Sequence, residues 1–407
     1  MARGQRRTSR SQAREEALAA AAAVRVPERC DVAVVGGGAA GLAAAIAAAE
    51  AGASVVVLER ALACGRSILA TGNGRCNFMN AALCGPAPAW ERYNDPSFVA
   101  TTCGPRFGDD VLAFFEECGL AWAEEEGGRL YPLSRQASSV REVLLSRARR
   151  AGVVLAPARE VVDVSMSRRE VRTSPLFEPD SRSKTGLMRT SLVLAAGGGE
   201  GVTRSIGLAC APYEPVLCSL ACSAPAGVAL EGLDGRRAHV VARLVRDGAE
   251  VARETGEVLF RSYGLSGIAV FDLSRVVLPG DVVALDLTGG LDRELARGLG
   301  RAAGSCAGVL DPVIAAALGP DALEKAFDLR FVVQGPAEPE RAQVTRGGLL
   351  CSQFRPETLE AREASGLFAC GEALNVDGAC GGYNLAWAWK SGLVAGRAAA
   401  ESAGSRA

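Results

Sequence analysis

Residues Asp31 to Glu59 read "DVAVV", "GGGAAG", "LAAAIAAAEAGA" and "SVVVLE" in succession. The order is a strand, a glycine turn, a helix and a second strand that ends on an acid. No other stretch constrains the chain as much, because each piece has a separate task in an α/β unit that holds an ADP-containing dinucleotide. Gly36 permits the tight turn out of the strand. Gly38 lets backbone approach a pyrophosphate, and Gly41 lets the helix pack closely on the sheet. The helix aims free N–H groups and its positive dipole end at the phosphates. Glu59 stands about 20 residues beyond the turn, where a carboxylate accepts hydrogen bonds from ribose hydroxyls. The alternative for the same pattern is a doubly wound core with an empty turn.

The chain has 407 residues, enough for two or three domains and a substantial core. Its net charge of -1 offers no global field for nucleic acid or an anionic membrane. The longest apolar stretch, Ala39 to Leu58, carries Glu50 and two glycines and belongs to the nucleotide unit, so no membrane span is expected. Thirteen cysteines lie scattered without a CxxC pair, which points to reduced thiols and a cytoplasmic setting. No Cys/His cluster suits a metal. The single histidine, His239, lies in the strand-like "RRAHVVARLV" and reads as structural or superficial, which leaves no Ser-His-Asp or Cys-His catalysis.

Residues 1–26 are Arg-rich, then Ala-rich, and read as a disordered or fraying helical extension. A first α/β part is expected over 27–205. It includes a helix near Asp109–Gly119, a capped amphipathic helix ending at Gly152, two short strands in "VVLAPAREVVDVSMS", an exposed hairpin over "VRTSPLFEPDSRSKTGLMRTS" and a buried strand in "SLVLAAGGG". A β-rich insertion follows over 206–290, then a helical subdomain over 291–328 and a return strand over 329–345. Residues 346–407 complete the first part with the strand "GLFACGEA", a loop, and the helix "YNLAWAWKSGLVAGRAAA".

Three further segments favour FAD over a dinucleotide that only visits. "TGNGRCN" at Thr71 to Asn77 offers glycine-exposed N–H groups and Arg75 to the pyrophosphate or the ring. "GLFACGE" ends on Gly371 and Glu372, suited to the ribityl and phosphate region. "GGYN" at Gly381 to Asn384 opens the last helix, whose dipole stabilises negative charge on a reduced ring.

These stretches, together with "EEEGGRLYPLSRQASSV", "GEVLFRSYGLSG" and "GEALNVDGACGGYNLAWAWKSGLVAG", resemble the BaiN/YhiN-like family of NAD(P)/FAD-dependent oxidoreductases, also known as aminoacetone-oxidase-like flavoproteins. The resemblance runs over nearly the whole chain. It implies a glutathione-reductase-type FAD-binding domain with a β-barrel-like and a small helical insertion. Matched position by position, it places FAD against Gly36, Gly38, Ala40, Gly41, Glu59 and Arg60, then Thr71, Gly72, Gly74, Arg75 and Asn77. It adds Val162 beside the adenine, Ala196 and Gly197 on the adenine side, and Gly371, Glu372, Gly382, Tyr383 and Asn384 near the ring.

Two departures stand out. Ser67 replaces a lysine usual in the family, and the loop after "LAAGGG" is contracted on the side expected to border the substrate. No second GxGxxG with a flanking acid is present, so NAD(P)H is expected only as a transient donor. The resemblance implies reduction of an enone-like double bond in a steroid-like small molecule. The rivals are an amine oxidase, a flavin-binding redox sensor without turnover, and an RNA-modifying protein. Arg75, Tyr131 and Tyr383 are the candidates for general acid. Cys76, in the glycine loop, reads as a small buried residue rather than a working thiol.

Overall fold

The computed structural model describes residues 10–165, 167–176, 185–194 and 206–405, with the backbone alone over 185–194. Two compact units emerge: unit 1 combines 1–213 with 346–407, and unit 2 is the continuous stretch 214–345.

Unit 1 begins with α1 (Arg10–Ala22), β1 (Arg29–Val35), α2 (Ala39–Glu50) and β2 (Val55–Leu58). Then come β3 (Met79–Asn80), α3 (Pro96–Cys103), α4 (Phe107–Glu117), β4 (Trp122–Glu125), β5 (Arg129–Pro132) and α5 (Ala137–Arg150). The strands β6 (Val154–Ala156), β7 (Arg159–Ser165), β8 (Glu170–Pro175) and β9 (Thr185–Leu194) follow, and β10 (Cys210–Val216) leads out.

In unit 2, β11 (Ser219–Ser223), β12 (Arg237–Arg246), β13 (Ala249–Arg261) and β14 (Gly264–Ser266) precede α6 (Ile268–Leu273) and β15 (Val282–Asp286). Three helices, α7 (Arg293–Ala303), α8 (Pro312–Leu318) and α9 (Ala322–Ala326), lead to β16 (Leu329–Ala337). Finally β17 (Val344–Leu349) returns to unit 1, which ends with β18 (Leu367–Ala369) and α10 (Tyr383–Gly404).

The principal sheet of unit 1 has seven strands in the order β6-β2-β1-β9-β8-β7, with β18 also on β9. Strands β6, β2, β1, β9 and β18 are parallel, so the strand ends that face the glycine turn all point one way. Strands β8 and β7 extend the sheet antiparallel from the first half of β9. The expected exposed hairpin is therefore a pair of sheet strands, and Val171 and Thr173 on β8 are buried. Helix α5 ends as expected, with arginines in its last turn and Gly152 just beyond it at φ 80°, its N–H donating to the Arg149 carbonyl. Within the amino-terminal extension Arg10–Ala22 forms α1, the helical alternative of the expectation, and Ala21 on it is buried.

The tightest packing in unit 1 joins α2 to α10. Eight of the twelve residues of α2 are alanine, and Ala40 to Ala48 are buried. A Cβ added to Gly392 would lie 2.4 Å from the Ala40 carbonyl oxygen, and one added to Gly396 would lie 2.1 Å from that of Ala44. Small residues one turn apart on both helices thus bring two backbones together, as in other small-xxx-small contacts. Lys390 of α10 also donates to Asp110 of α4 at 2.5 Å, and the Trp389 indole donates to the Phe78 carbonyl at 2.9 Å.

Unit 2 is a closed six-stranded barrel, β11-β14-β13-β12-β15-β16, with the short helices α7 to α9 filling the connection between β15 and β16. Its core gathers Leu220, Val240, Leu244, Phe260, Leu285 and Phe331. His239 lies exposed on β12.

The helix contact makes a sharp prediction. Gly396→Ala should cost about 1–3 kcal/mol through overpacking. Gly298→Ala on α7, where the nearest atom is 4.0 Å away, should instead stabilise by about 0.5–1 kcal/mol. Denaturant unfolding of the two variants measures both; an unaffected Gly396→Ala would disprove the backbone contact.

Candidate functional site

The glycine turn does more than leave β1. Gly36 has φ 100°, and its N–H donates to the Leu58 carbonyl at 2.9 Å. Glu59 accepts from the Gly37 N–H and the Ala61 N–H, each at 2.6 Å. The acid at the end of β2 thus fixes the turn while standing beside it. Gly38 caps α2 without any side-chain bond, so the first N–H groups of the helix are left for a ligand or water. A Cβ on Gly38 would come within 3.1 Å of the Ser67 hydroxyl, which sets Ser67 against the turn.

The "TGNGRCN" loop folds back on itself. Gly72, Asn73, Gly74 and Cys76 all have positive φ, between 53° and 83°. Successive residues of this kind line up their N–H groups around a concavity. The Arg75 N–H donates to Gly72 and the Cys76 N–H to Thr71, both at 3.1 Å. Cys76 is fully buried, and burial pushes its thiol up to about 11, so it stays protonated at neutral pH.

The carboxyl-terminal motifs meet these two loops. A Cβ on Gly371 would sit 2.6 Å from the Ala40 Cβ at the start of α2. The Gly371 N–H donates to the Ser391 hydroxyl at 2.9 Å, and the Trp387 indole donates to the Gly371 carbonyl at 3.2 Å. Gly382 lies so close to "TGNGRCN" that its Cβ would be 2.5 Å from the Met79 carbonyl and 3.0 Å from Asn77 Oδ1. Asn80 donates to the Gly381 carbonyl at 2.9 Å and ties the two ends together again.

Other expected residues stand elsewhere or are otherwise engaged. Asn384 turns its amide onto the backbone of Gly378 and Ala379. Tyr383 is buried, edge-on to Tyr93, with its carbonyl accepting the Tyr93 hydroxyl at 2.8 Å. Arg60 is exposed and 3.9 Å from Glu160. Val162 is exposed at a bulge of β7, while nearby Arg159 donates its N–H to the Glu59 carbonyl. Ala196 and Gly197 lie outside the described residues, as does the contracted loop that follows them. Arg75 and Tyr131 come together, with the guanidinium 4.8 Å from the ring centre.

The donor set suits FAD. The α2 N–H groups and the loop N–H groups are phosphate partners. Asn77 Oδ1 is buried without a hydrogen-bond partner, an unmet acceptor among the glycines of both chain ends. Glu372 is accessible to water yet deeply set, and desolvation raises its carboxyl pKa.

Fold and relatives together define an oxidoreductase of the FAD-dependent class. The HI0933-like protein Rossmann domain matches residues 30–398, and the chain belongs to that family. It is 32% identical to the 3-dehydro-bile acid delta(4,6)-reductase of Clostridium scindens, over 91% of this chain and 99% of that protein. Identity to the ribosomal RNA dihydrouridine synthase of Escherichia coli is 27%, over 89% and 96%. Among solved structures, the open conformation of a flavocytochrome c3 fumarate reductase shares the fold at a TM-score of 0.51 and 17% identity, covering 99% of this chain and 83% of that one. Among the described residues no helix is long and apolar enough to cross a membrane.

Ser391, Trp387 and Asn80 hold the site together and escaped the sequence reading. Ser391 and Trp387 sit within a helix with no local mark of their task. Asn80 follows a glycine-rich loop, where an amide that bonds backbone is a recognisable signal.

Two outcomes follow. Glu59→Ala removes both acceptors of the turn and should weaken FAD retention about tenfold, the equivalent of one or two hydrogen bonds, measured by flavin release on dilution. Glu372→Gln removes a carboxyl whose folded-state pKa is raised. That stability contribution is complete below the ordinary value of 4.5 and lost as pH rises through the raised one. The apoprotein variant should therefore melt higher than the parent at pH 7 and match it at pH 4; equal melting at both would contradict the desolvation.

Proposed function

We propose that this protein is an FAD-dependent reductase of a carbon–carbon double bond conjugated to a carbonyl. Its substrate is a steroid-like small molecule, and its electrons come from a transiently bound NAD(P)H. The likeness to the Clostridium scindens reductase, at 32% identity over nearly the full length of both chains, carries this reading. The second relative supports the bond type: making dihydrouridine also saturates a ring double bond next to a carbonyl. Two relatives whose names give unlike substrates thus share one chemistry.

FAD, when bound, supplies two-electron transfer between donor and substrate. The chain supplies the rest. Gly36, Gly38, Ala40 and Gly41 would let the α2 N-terminus hold the pyrophosphate, and Glu59, which holds the turn, would also accept from the ribose. Thr71, Gly72, Gly74, Arg75 and Asn77 line the second loop, with Asn77 Oδ1 free to accept. Gly371, Glu372 and Gly382 would approach the cofactor from the carboxyl-terminal side, where Gly371 packs on Ala40 and Gly382 on Met79 and Asn77. The positive end of the α10 dipole would stabilise negative charge on a reduced ring held there. Tyr383 and Asn384 serve by bracing the loop before α10.

Anaerobic titration of the purified holoprotein tests the reading. NADH or NADPH should bleach flavin absorbance near about 450 nm, and a 3-oxo-4-ene steroid should restore it. Bleaching by amines and not by nicotinamides would make the protein an oxidase. Recovery with unmodified ribosomal RNA and not with the steroid would move the substrate to uridine.

A further inference from the structure

Tyr131, on β5, buries its ring but not its hydroxyl. The residue is 4% exposed, yet its oxygen is absent from the buried atoms that lack partners. Among the described residues no hydrogen bond reaches it, whereas the Tyr93 hydroxyl is spent on the Tyr383 carbonyl and that of Tyr263 on Glu338. Two guanidinium groups pin the ring, Arg75 at 4.8 Å and Arg135 at 5.5 Å from its centre. Glu125 pairs with both arginines and holds them in place. The Tyr131 Cε1 lies 3.8 Å from where a Gly72 Cβ would be, and the same Gly72 position is 2.9 Å from the Asn77 N–H. An immobilised phenol with a free O–H therefore stands beside the loop that carries the unmet acceptor Asn77.

Resting on the reductase reading above, we propose that Tyr131 is the proton donor of the reaction. The conjugated double bond receives a hydride at its β-carbon, ultimately from the dihydronicotinamide, and a proton at its α-carbon from Tyr131 Oη. The C–H bond of the dihydronicotinamide, the π bond and the O–H bond break and two C–H bonds form; the dihydronicotinamide is oxidised to the nicotinamide, the enone is reduced, and water returns a proton to the phenolate. Arg75 and Arg135 are positioning residues that fix the ring.

Tyr131→Phe keeps the ring and both cation–π contacts, so a merely structural role would survive the change. With the holoprotein, a 3-oxo-4-ene steroid and NADH, the variant should lose about 100-fold or more in reoxidation by the steroid. Bleaching by NADH, FAD content and melting temperature should stay as in the parent. Run briefly in D2O, before keto–enol exchange, the parent should place deuterium on one face of the α-carbon and the variant on both. Retained rate with one-face labelling would overturn the assignment, as would loss of FAD alongside the lost rate. A parent protein that NADH bleaches but the steroid leaves bleached is a different result, and it removes the enone reading itself.

Discussion

Everything at the candidate site hangs on two backbones held closer than side chains normally allow. Gly392 and Gly396 of α10 lie directly on the carbonyls of Ala40 and Ala44 of α2. That contact sets the distance between the amino-terminal nucleotide turn and the carboxyl-terminal loops. Gly371 can then rest on Ala40, and Gly382 on Met79 and Asn77, only because the helices behind them are already in register. A methyl group at either helix glycine would have to push the two backbones apart by about 1 Å, enough to stretch the hydrogen bonds of the loops beyond them. Alanine and glycine here contribute little apolar area. Their worth is geometric, and the burial of Phe78, Phe115 and Trp389 nearby supplies the apolar area that the seam itself does not.

Around this seam the polar groups fall into two sets. Glu59, Ser391, Asn80 and Asn384 spend their hydrogen bonds on backbone and so define the shape of loops. Asn77 Oδ1, the α2 N–H groups and the Tyr131 hydroxyl are left unspent. Folded proteins seldom leave a buried acceptor such as Asn77 Oδ1 unmatched, which fits a ligand at this loop. The division also explains why Cys76, set in the middle of the loop, is chemically quiet: burial keeps its thiol protonated.

The glycine turn, β2 and its terminal acid were legible because each depends on residues close in sequence. The loops at Thr71 and Gly381 were legible for the same reason, since positive φ selects glycine. What sequence hid was long-range. Two glycines inside α10 look like faults in a helix until Ala40 and Ala44 are seen against them. Strand β8 reads as a hairpin arm because its alternation shows one buried face and cannot show which sheet provides it. Asn384 resembles a ligand-facing amide in sequence, and only the backbone of Gly378 reveals its other task. Glu125, Tyr131 and Arg135 share one stretch, but Arg75 comes from the "TGNGRCN" loop, so no single motif shows that these charges gather at one ring.

The order of synthesis gives the helix seam a further meaning. Unit 2 is one continuous stretch, so every strand of its barrel is available once that stretch has left the ribosome. Unit 1 is different: α2 is made before the barrel and its partner α10 after it. Until then the alanine face of α2 has no cover and the nucleotide turn has no second wall. The nascent chain must carry an unfinished cofactor site through translation of the whole barrel, and flavin capture becomes a closing event rather than an early one.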